Sequence, residues 1–162
     1  MTYNILRGGR DGDDDTRLGK ICALIRSVAP DLLVLNECND FEREGFRALY
    51  EVEREIGMRG VLAPAGSGFH VALFVREAQL IETKLLQREV HHAALAATIE
   101  LRGRRLVLVG AHLCPFGGEL RLGEVQHLAR FVRGEEVLLL GDLNSLSPSD
   151  TYQTSNWLPR HR

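Results

Sequence analysis

The sequence lacks the features that define several classes of protein. Its three cysteines, Cys22, Cys38 and Cys114, are too few and too scattered for a disulfide framework or a zinc cluster. No apolar run approaches the roughly 18 residues of a membrane span, and the residues after Met1 contain no apolar signal-peptide core. We therefore expect a protein of the reducing cytoplasm that has no membrane span.

The sequence also lacks an excess of charge of one sign. Twenty basic residues stand against 22 acidic ones, giving a formal net charge of −2, which argues against binding nucleic acid mainly by bulk electrostatics. The 16 glycines and 5 prolines exclude collagen-like and low-complexity classes. What is present is 44% hydrophobic residues in a chain of 162, enough to form the core of one domain.

Hydrophobic periodicity predicts an α/β domain over residues 1–150 and an irregular tail over residues 151–162. Helical spacing predicts a helix of about a dozen residues from Thr16 and two more over Phe41–Ile56 and Leu120–Val132. The predicted strands are Met1–Leu6, Leu32–Leu35, Val61–Ala63, Val71–Val75, Leu80–Leu86, Ala93–Leu101, Arg105–His112 and Val137–Leu140. The uninterrupted apolar runs Leu32–Leu35 and Val137–Leu140 are typical of strands buried on both faces.

Polar side chains that can do chemistry follow three of these strands. Asn36 and Glu37 come after the first, His112 ends the second, and Asp142 with Asn144 follows the third. Ligands of open α/β sheets bind beyond the carboxyl ends of the strands, so we expect these groups to converge on one pocket. Two carboxylates with nearby amides and an imidazole suit a hard, oxygen-seeking cation such as Mg²⁺.

Each of these residues also has a structural interpretation. Glu37 fits the cap of the following helix, Asp142 fits a turn, and His112 fits a hydrogen-bonded structural histidine. Asn4, on the first strand, says little alone. The set is more specific than its members, because four separate segments place polar groups at strand ends.

The ordered motifs resemble those of the endonuclease/exonuclease/phosphatase superfamily, the group of DNase I. They are Thr2-Tyr-Asn-Ile, Pro30-Asp-Leu-Leu-Val-Leu-Asn-Glu, Gly68-Phe-His-Val-Ala-Leu-Phe, Gly110-Ala-His-Leu and Leu139-Leu-Gly-Asp-Leu-Asn-Ser. The resemblance covers roughly residues 2–150. It implies a DNase I-like α/β sandwich of two mixed sheets with outer helices. It also implies hydrolysis of phosphate esters, either nucleic acid or a small phosphorylated molecule, with Mg²⁺ or Mn²⁺.

The resemblance assigns a role to each candidate residue. Glu37 matches the principal metal-binding glutamate, and Asn4 matches an asparagine that lines the metal and phosphate site. His112 matches the first of two active-site histidines, near the scissile phosphate. Asp142 matches the aspartate that orients or deprotonates the attacking water beside the metal, and Asn144 matches an asparagine that helps to hold the phosphate.

One motif of the superfamily is missing. No Ser-Asp-His triplet, which would supply the second histidine, occurs in this sequence. The chain therefore resembles the N-terminal portion of a C-terminally truncated domain, and we expect marginal turnover. We also expect the second half of the sandwich to be absent. The strands Leu32–Leu35, Leu106–Val109 and Val137–Leu140 would then expose a sheet face, so that the chain is either poorly stable alone or self-associates.

Two alternatives remain open. The chain is either an enzyme or a catalytically inactive fragment or binding module that keeps the half-fold. A calcineurin-type metallophosphatase is a weaker alternative, because the first strand has no Asp-x-His and no Gly-Asn-His follows.

Further histidines, a cysteine and an arginine lie outside the main candidate set. His91 and His92 begin a strand, where neighbours face opposite ways, so we do not expect both at one site. His70 is expected to lie outside the pocket, and Cys38 to be a small filler without a base partner. Arg121 matches, loosely, an anion-contacting or structural arginine of some members of the superfamily.

Overall fold

A computed structural model describes residues 1–86, 88, 90–132, 134–147, 149 and 151. The described strands are β1 (Thr2–Asn4), β2 (Leu32–Asn36), β3 (Arg59–Ala63), β4 (Val71–Val75), β5 (Gln79–Leu85), β6 (Ala93–Leu101), β7 (Arg104–His112) and β8 (Val137–Asp142). The helices are α1 (Thr16–Val28), α2 (Arg43–Ile56) and α3 (Gly118–Arg130). Apart from Thr151, the predicted tail lies outside the described residues.

The strands form two four-stranded mixed sheets. Sheet I has the order β1-β2-β4-β3, in which β1 and β2 are parallel and the other pairs antiparallel. Sheet II has the order β5-β6-β7-β8, in which only β7 and β8 are parallel. The predicted α/β class is confirmed. The expected absence of a second sheet is wrong, because β5–β8 build that sheet within this chain.

Side-chain alternation on the central strands creates a layered core. Leu33 and Leu35 of β2 pack under α1 and α2, whereas Val34 faces sheet II. On β6, Leu95 faces sheet I, and Ala96 packs with Leu128 of α3 on the outer face. The order of layers is therefore two helices, sheet I, sheet II and one helix, and β2 is buried on both faces as predicted.

Of the three strands expected to expose a sheet face, Leu32–Leu35 and Leu106–Val109 are largely buried, and Val137–Leu140 is partly exposed. Leu33, Val34 and Leu35 are fully buried, because sheet II and the helices cover β2. The prediction that β8 is buried on both faces is wrong. Val137, Leu138 and Leu139 are each between 37% and 41% exposed, since β8 is an edge strand paired with β7 alone among the described strands. Self-association stays a prediction, and its candidate surface is now this edge.

The two sheets are linked at the end where the candidate residues lie. Asn36, which is fully buried, donates a hydrogen bond from Nδ2 to the carbonyl oxygen of Ala111 at 2.9 Å. A buried amide needs such a partner, because an unpaired one costs free energy. This bond fixes the end of β2 in sheet I against the end of β7 in sheet II.

No helix of the described residues is long and apolar enough to cross a membrane.

Candidate active site

Asn4 joins two carboxylates that come from different sheets. Its Nδ2 donates to Glu37 Oε1 and to Asp142 Oδ2, each at 2.9 Å. The pairing of strands explains this meeting, since Asn4 lies opposite Asn36 in sheet I and His112 lies opposite Asp142 in sheet II. The predicted convergence of Asn4, Glu37 and Asp142 is therefore present in the structure, at the ends of strands from both sheets.

The backbone holds Glu37 in a specific orientation. Glu37 has a φ of 60°, a left-handed conformation that is unusual for a residue with a side chain. Two backbone amides stabilise it: Arg7 N–H donates to Oε2 at 3.2 Å, and Gly8 N–H donates to the Glu37 carbonyl at 2.7 Å. Such strained residues are concentrated at functional sites, and here the strain aims a carboxylate at the other half of the site.

Asp142 and Asn144 form a tight turn directly after β8. The backbone N–H of Asn144 donates to Asp142 Oδ1 at 2.9 Å, and Asn144 Nδ2 donates to the Leu113 carbonyl at 2.8 Å. The Leu113 N–H in turn donates to the Asp142 carbonyl at 3.0 Å. Asn144 is thus placed beside the carboxylate, and its amide nitrogen ties the turn to the end of β7. Its predicted contact with phosphate stays a prediction.

His112 belongs to a cluster of aromatic rings beside the carboxylates. Its Nε2 lies 3.9 Å from Asp142 Oδ2, and its buried Nδ1 has no hydrogen-bond partner among the described residues. The ring of His92 stacks on it with centroids 4.2 Å apart and planes tilted by 32°. Phe69 lies edge-on to both rings, and the His91 ring lies 4.6 Å from that of His92.

Burial keeps the two stacked imidazoles neutral near pH 7. Burial, with smaller contributions from His112 and His91, lowers the pKa of His92 to about 4. Burial also lowers the pKa of His112, although the negative charges of Asp142 and Glu37 oppose the shift. A neutral imidazole can accept a proton at one ring nitrogen and donate a hydrogen bond from the other.

Sequence reasoning missed His92. It placed His91 and His92 in a strand, whereas the structure places both in the bend before β6, where strict alternation does not apply. The two rings lie 4.6 Å apart in one cluster, so the expectation that they face opposite ways is wrong. The signal was in the hairpin: counting back from its Arg102–Gly103 turn pairs Ala93 with His112, so the preceding residue must lie beside that histidine.

Sequence reasoning also missed Glu124, which supports the ring cluster from α3. Glu124 is 91% buried, and its Oε1 and Oε2 accept hydrogen bonds from the backbone N–H groups of His91 and Cys114 at 2.6 and 2.8 Å. Arg121, one turn earlier, donates from Nη1 to the Cys114 carbonyl at 3.1 Å, which makes it structural here. Together they fix the segments on either side of the strand pair that carries His112.

A Glu124→Gln variant should lose about 1 to 2 kcal/mol of stability. The amide nitrogen of glutamine cannot accept a hydrogen bond, so one of the two backbone N–H groups, of which that of Cys114 is buried, would lose its partner. Chemical denaturation measures the loss, and Glu119→Gln, at an exposed position of the first turn of α3, is the matched control. Equal stability of the two variants would contradict the supporting role of Glu124.

Other histidines and cysteines lie apart from the carboxylates. His70 accepts from the Ala65 N–H at Nδ1 (2.8 Å) and bonds Glu42 through Nε2 (2.7 Å), so both ring nitrogens are occupied. It lies outside the candidate site, as expected. Cys38 is fully buried, and burial raises the pKa of its thiol, which confirms its interpretation as a filler.

The donor set fits a divalent cation. Among the described residues there is no group of three or more His, Cys, Asp or Glu side chains that could hold a metal ion. Mg²⁺, however, is commonly held by only one or two carboxylates, with waters and substrate phosphate completing its shell. Glu37 and Asp142, brought together by Asn4, supply two carboxylates of this kind.

Comparison with known proteins identifies the family of this chain. A family model described as the Endonuclease/Exonuclease/phosphatase family matches residues 1–160. The chain belongs to this family. No curated protein matches the sequence.

Several solved structures share the fold at low sequence identity. A humanized TDP2 of D. rerio aligns with a TM-score of 0.72 at 16% identity, covering 90% of this chain and 65% of its own. The human Nocturnin catalytic domain aligns at 0.64 with 21% identity, covering 91% and 63%. A mannosyl-6-phosphatase of Bacteroides thetaiotaomicron VPI-5482 aligns at 0.68 with 16% identity, covering 88% and 64%. These matches confirm the predicted DNase I-like sandwich, and the chain spans a little under two thirds of each structure.

Proposed function

We propose that this chain is a divalent-cation-dependent phosphoesterase that hydrolyses its substrate by attack of water on phosphorus. One observation carries the proposal: Asn4 holds the carboxylates of Glu37 and Asp142 together, and His112 Nε2 lies 3.9 Å from one of them. Carboxylates, an amide and a neutral imidazole are what phosphoester hydrolysis needs around the phosphate. Family membership supports the same reaction class.

In this proposal Glu37 and Asp142 hold the cation, Mg²⁺ or Mn²⁺, with Asn4 at its edge. The bound cation would neutralise charge on the phosphate oxygens. Asn4, which donates to both carboxylates, keeps their spacing fixed before the substrate arrives. Such preorganisation matters because the site then need not rearrange during the reaction.

The remaining residues act on water and phosphate. Asp142, whose Oδ1 is oriented by the Asn144 N–H, would orient the attacking water and take up its proton. His112, neutral and buried against His92, would donate a hydrogen bond to a phosphate oxygen. Asn144 would help to hold the phosphate from the turn after β8. His92 acts as a positioning residue through its stacking on His112.

Hydrolysis of bis-p-nitrophenyl phosphate and p-nitrophenyl phosphate tests the proposal directly. We expect slow turnover with Mg²⁺ or Mn²⁺, as the missing Ser-Asp-His motif predicts, that EDTA abolishes and that disappears in a Glu37→Gln, Asp142→Asn double variant. Asp31→Asn is the matched control, because Asp31 is a half-exposed carboxylate just before β2 that pairs with Arg102. Turnover that survives EDTA and the double substitution would overturn the site assignment.

A second candidate is a binding module without turnover. The described residues hold only two carboxylates at this site and no third acidic or histidine ligand grouped with them. Calorimetry with Mn²⁺ separates the two candidates. Cation binding that the double variant abolishes, with no hydrolysis of either substrate, would favour the binding module.

A further inference from the structure

A cavity of about 760 Å³ opens beside the candidate active site. It lies between the loop after β1, the loop after β2 and the first turns of α2. Two of its lining residues also belong to the surroundings of the site. The backbone of Arg7 donates to Glu37, and the ring centroid of Phe69 lies 6.4 Å from that of His112. A molecule reacting at the carboxylates can therefore extend its other end into this cavity. A second cavity, of about 420 Å³, is lined by Asn4, Asp142 and Asn144 themselves and is the space for the phosphate.

The charges of the cavity are balanced, with a slight excess of acid. Four arginines and five carboxylates line it. Most are paired with each other: Arg43 with Asp40 at 2.9 Å, and Arg47 with Glu51 at 2.9 Å. The unpaired carboxylates, which form no ion pair with any described residue, are Asp13 and Asp15.

The balance of charges in the cavity favours hydroxylated ligands over polyanions. A strand of nucleic acid carries one negative charge per nucleotide, and clefts that bind polyanions concentrate positive charge. Among the lining arginines only Arg7 forms no ion pair with a described residue. The two unpaired carboxylates, Asp13 and Asp15, outnumber it and would repel further phosphates. Carboxylates and guanidinium groups in fixed positions are, in contrast, good acceptors and donors for hydroxyl groups.

Two further features of the wall suit a hydroxylated ring. Phe69 presents an aromatic side chain on the side next to His112, where the apolar face of a sugar ring can pack. Asn39 also lines the cavity, and its buried Oδ1 has no hydrogen-bond donor among the described residues. After a small rotation of this amide, a ligand hydroxyl group could donate the hydrogen bond that Oδ1 lacks. The volume lies in the range of sites that hold small molecules.

We propose that the cavity lined by Asp13, Arg43 and Phe69 binds the alcohol part of the substrate, and that this part is an uncharged, hydroxylated group of the size of a sugar. The substrate class is then a sugar phosphate or similar polyol phosphate, not a polynucleotide. This inference rests on the proposed function, because it assumes that the phosphate lies at Glu37 and Asp142.

Binding of three probes tests the inference without requiring turnover. Glucose 6-phosphate, inorganic phosphate and a ten-nucleotide single-stranded DNA are titrated into the intact chain by calorimetry, with Ca²⁺ present. We expect glucose 6-phosphate to bind at least tenfold more tightly than phosphate or the oligonucleotide. Asp13→Trp, at an exposed position, should fill the cavity and weaken only the sugar phosphate, by tenfold or more.

Matched variants keep the test decisive. Arg43→Trp fills the cavity from α2 and should repeat the result if Asp13→Trp is misfolded, while Glu82→Trp on exposed β5 should bind all probes as the wild type does. The inference is overturned if glucose 6-phosphate binds no better than phosphate, if both filling variants bind it normally, or if the oligonucleotide binds most tightly.

The proposed reaction and the inference about the cavity can be tested separately. Hydrolysis of p-nitrophenyl phosphate, which has no hydroxylated ring, reports the reaction separately and should stay within twofold of wild type in Glu82→Trp. If the wild-type chain hydrolyses that ester but binds sugar phosphate no better than phosphate, only the inference about the cavity is wrong. If it binds sugar phosphate selectively but hydrolyses nothing, only the proposed reaction is wrong.

Discussion

A Gly141→Ala variant is expected to lose about 2 to 6 kcal/mol of its free energy of unfolding. A Cβ atom at this position would lie 1.8 Å from the carbonyl oxygen of Ala111 and 2.8 Å from its carbonyl carbon. These are backbone atoms of β7, which pairs with β8 at this point, so no side chain can turn aside to make room. Overpacking typically costs about 1 to 3 kcal/mol and a strained backbone conformation a similar amount, which gives the expected sum.

The same clash would reach the candidate site. The Ala111 carbonyl accepts the hydrogen bond from buried Asn36, and Asp142 follows Gly141 directly. Moving β8 away from β7 would therefore displace the Asp142 carboxylate from Asn4. We expect cation binding to fall together with stability, which calorimetry and urea denaturation measure on the same samples.

Gly19→Ala is the matched control for this change. Gly19 lies in α1 with no atom near an added Cβ and without a positive φ, so alanine there should stabilise the helix by about 0.4 to 1 kcal/mol. A Gly141→Ala variant within 1 kcal/mol of wild type would show that β7 and β8 can separate at their ends without cost.

The close approach at Gly141 also illustrates what local sequence could predict. The Gly-Asp-Leu-Asn motif predicted a turn carrying Asp142 and Asn144 after an apolar strand, and the structure has that turn. Strand ends were predictable because an apolar run stops where the polar residues begin. Which strands lie side by side was not predictable in the same way, because pairing between distant segments leaves no local pattern.

The same limit explains why the number of sheets and the exposure of β8 were predicted wrongly. The run Val137–Leu140 has the same composition as β2, yet β2 is central and covered on both faces, whereas β8 lies at an edge. An apolar strand indicates that burial is favourable and does not say what covers it. The candidate carboxylates were therefore expected at the edge of one sheet, although Glu37 and Asp142 come from two.

Residues that act through other residues were hardest to foresee. Glu124 lies on a helix with a mixed surface, and only its contacts with two distant backbone N–H groups show its role. His92 was discarded by a rule of strand alternation that does not extend into the bend before β6. Both depend on three-dimensional neighbours, in contrast to Glu37, which follows a strand directly.

His92 should also make the protein less stable as the pH falls from about 6.5 to 4. The ring is 94% buried, and burial lowers its pKa to about 4, below the usual value near 6.5 that applies to the unfolded chain. Between these two values the unfolded chain binds a proton that the folded protein does not, so the free energy of unfolding decreases with falling pH. Below about pH 4 both states are protonated and the effect is complete, at about 3 kcal/mol.

The surroundings of His92 explain why the folded protein resists protonation. His112 stacks on its ring at 4.2 Å, His91 lies 4.6 Å away, and Phe69 covers an edge. Its Nδ1 lies 2.8 Å from the Ser67 hydroxyl, which can bond a neutral ring equally well. Asp142 is the one negative charge that favours protonation, and it does not outweigh the loss of water. Because the rings of His92 and His112 interact, the titration belongs to the pair.

Urea denaturation in EDTA at pH 7 and pH 5 measures this effect. Over this interval His92 should contribute about 2 kcal/mol of the loss, because only the part of the titration between pH 6.5 and 5 is included. A His92→Phe variant keeps the stacked ring but cannot be protonated, so its stability should change less between the two pH values. The bond to Ser67 is lost at both pH values, and the difference between them isolates the proton.

Nuclear magnetic resonance provides an independent check, since the ring proton of each histidine reports its own titration. We expect the His92 signal to remain that of a neutral imidazole at pH 5.5, where an exposed histidine is almost fully protonated. A His92 signal that titrates near pH 6.5, or an equal pH dependence of stability in wild type and His92→Phe, would contradict the prediction. Either result would mean that water reaches the stacked rings, and that His112 is not kept neutral by burial.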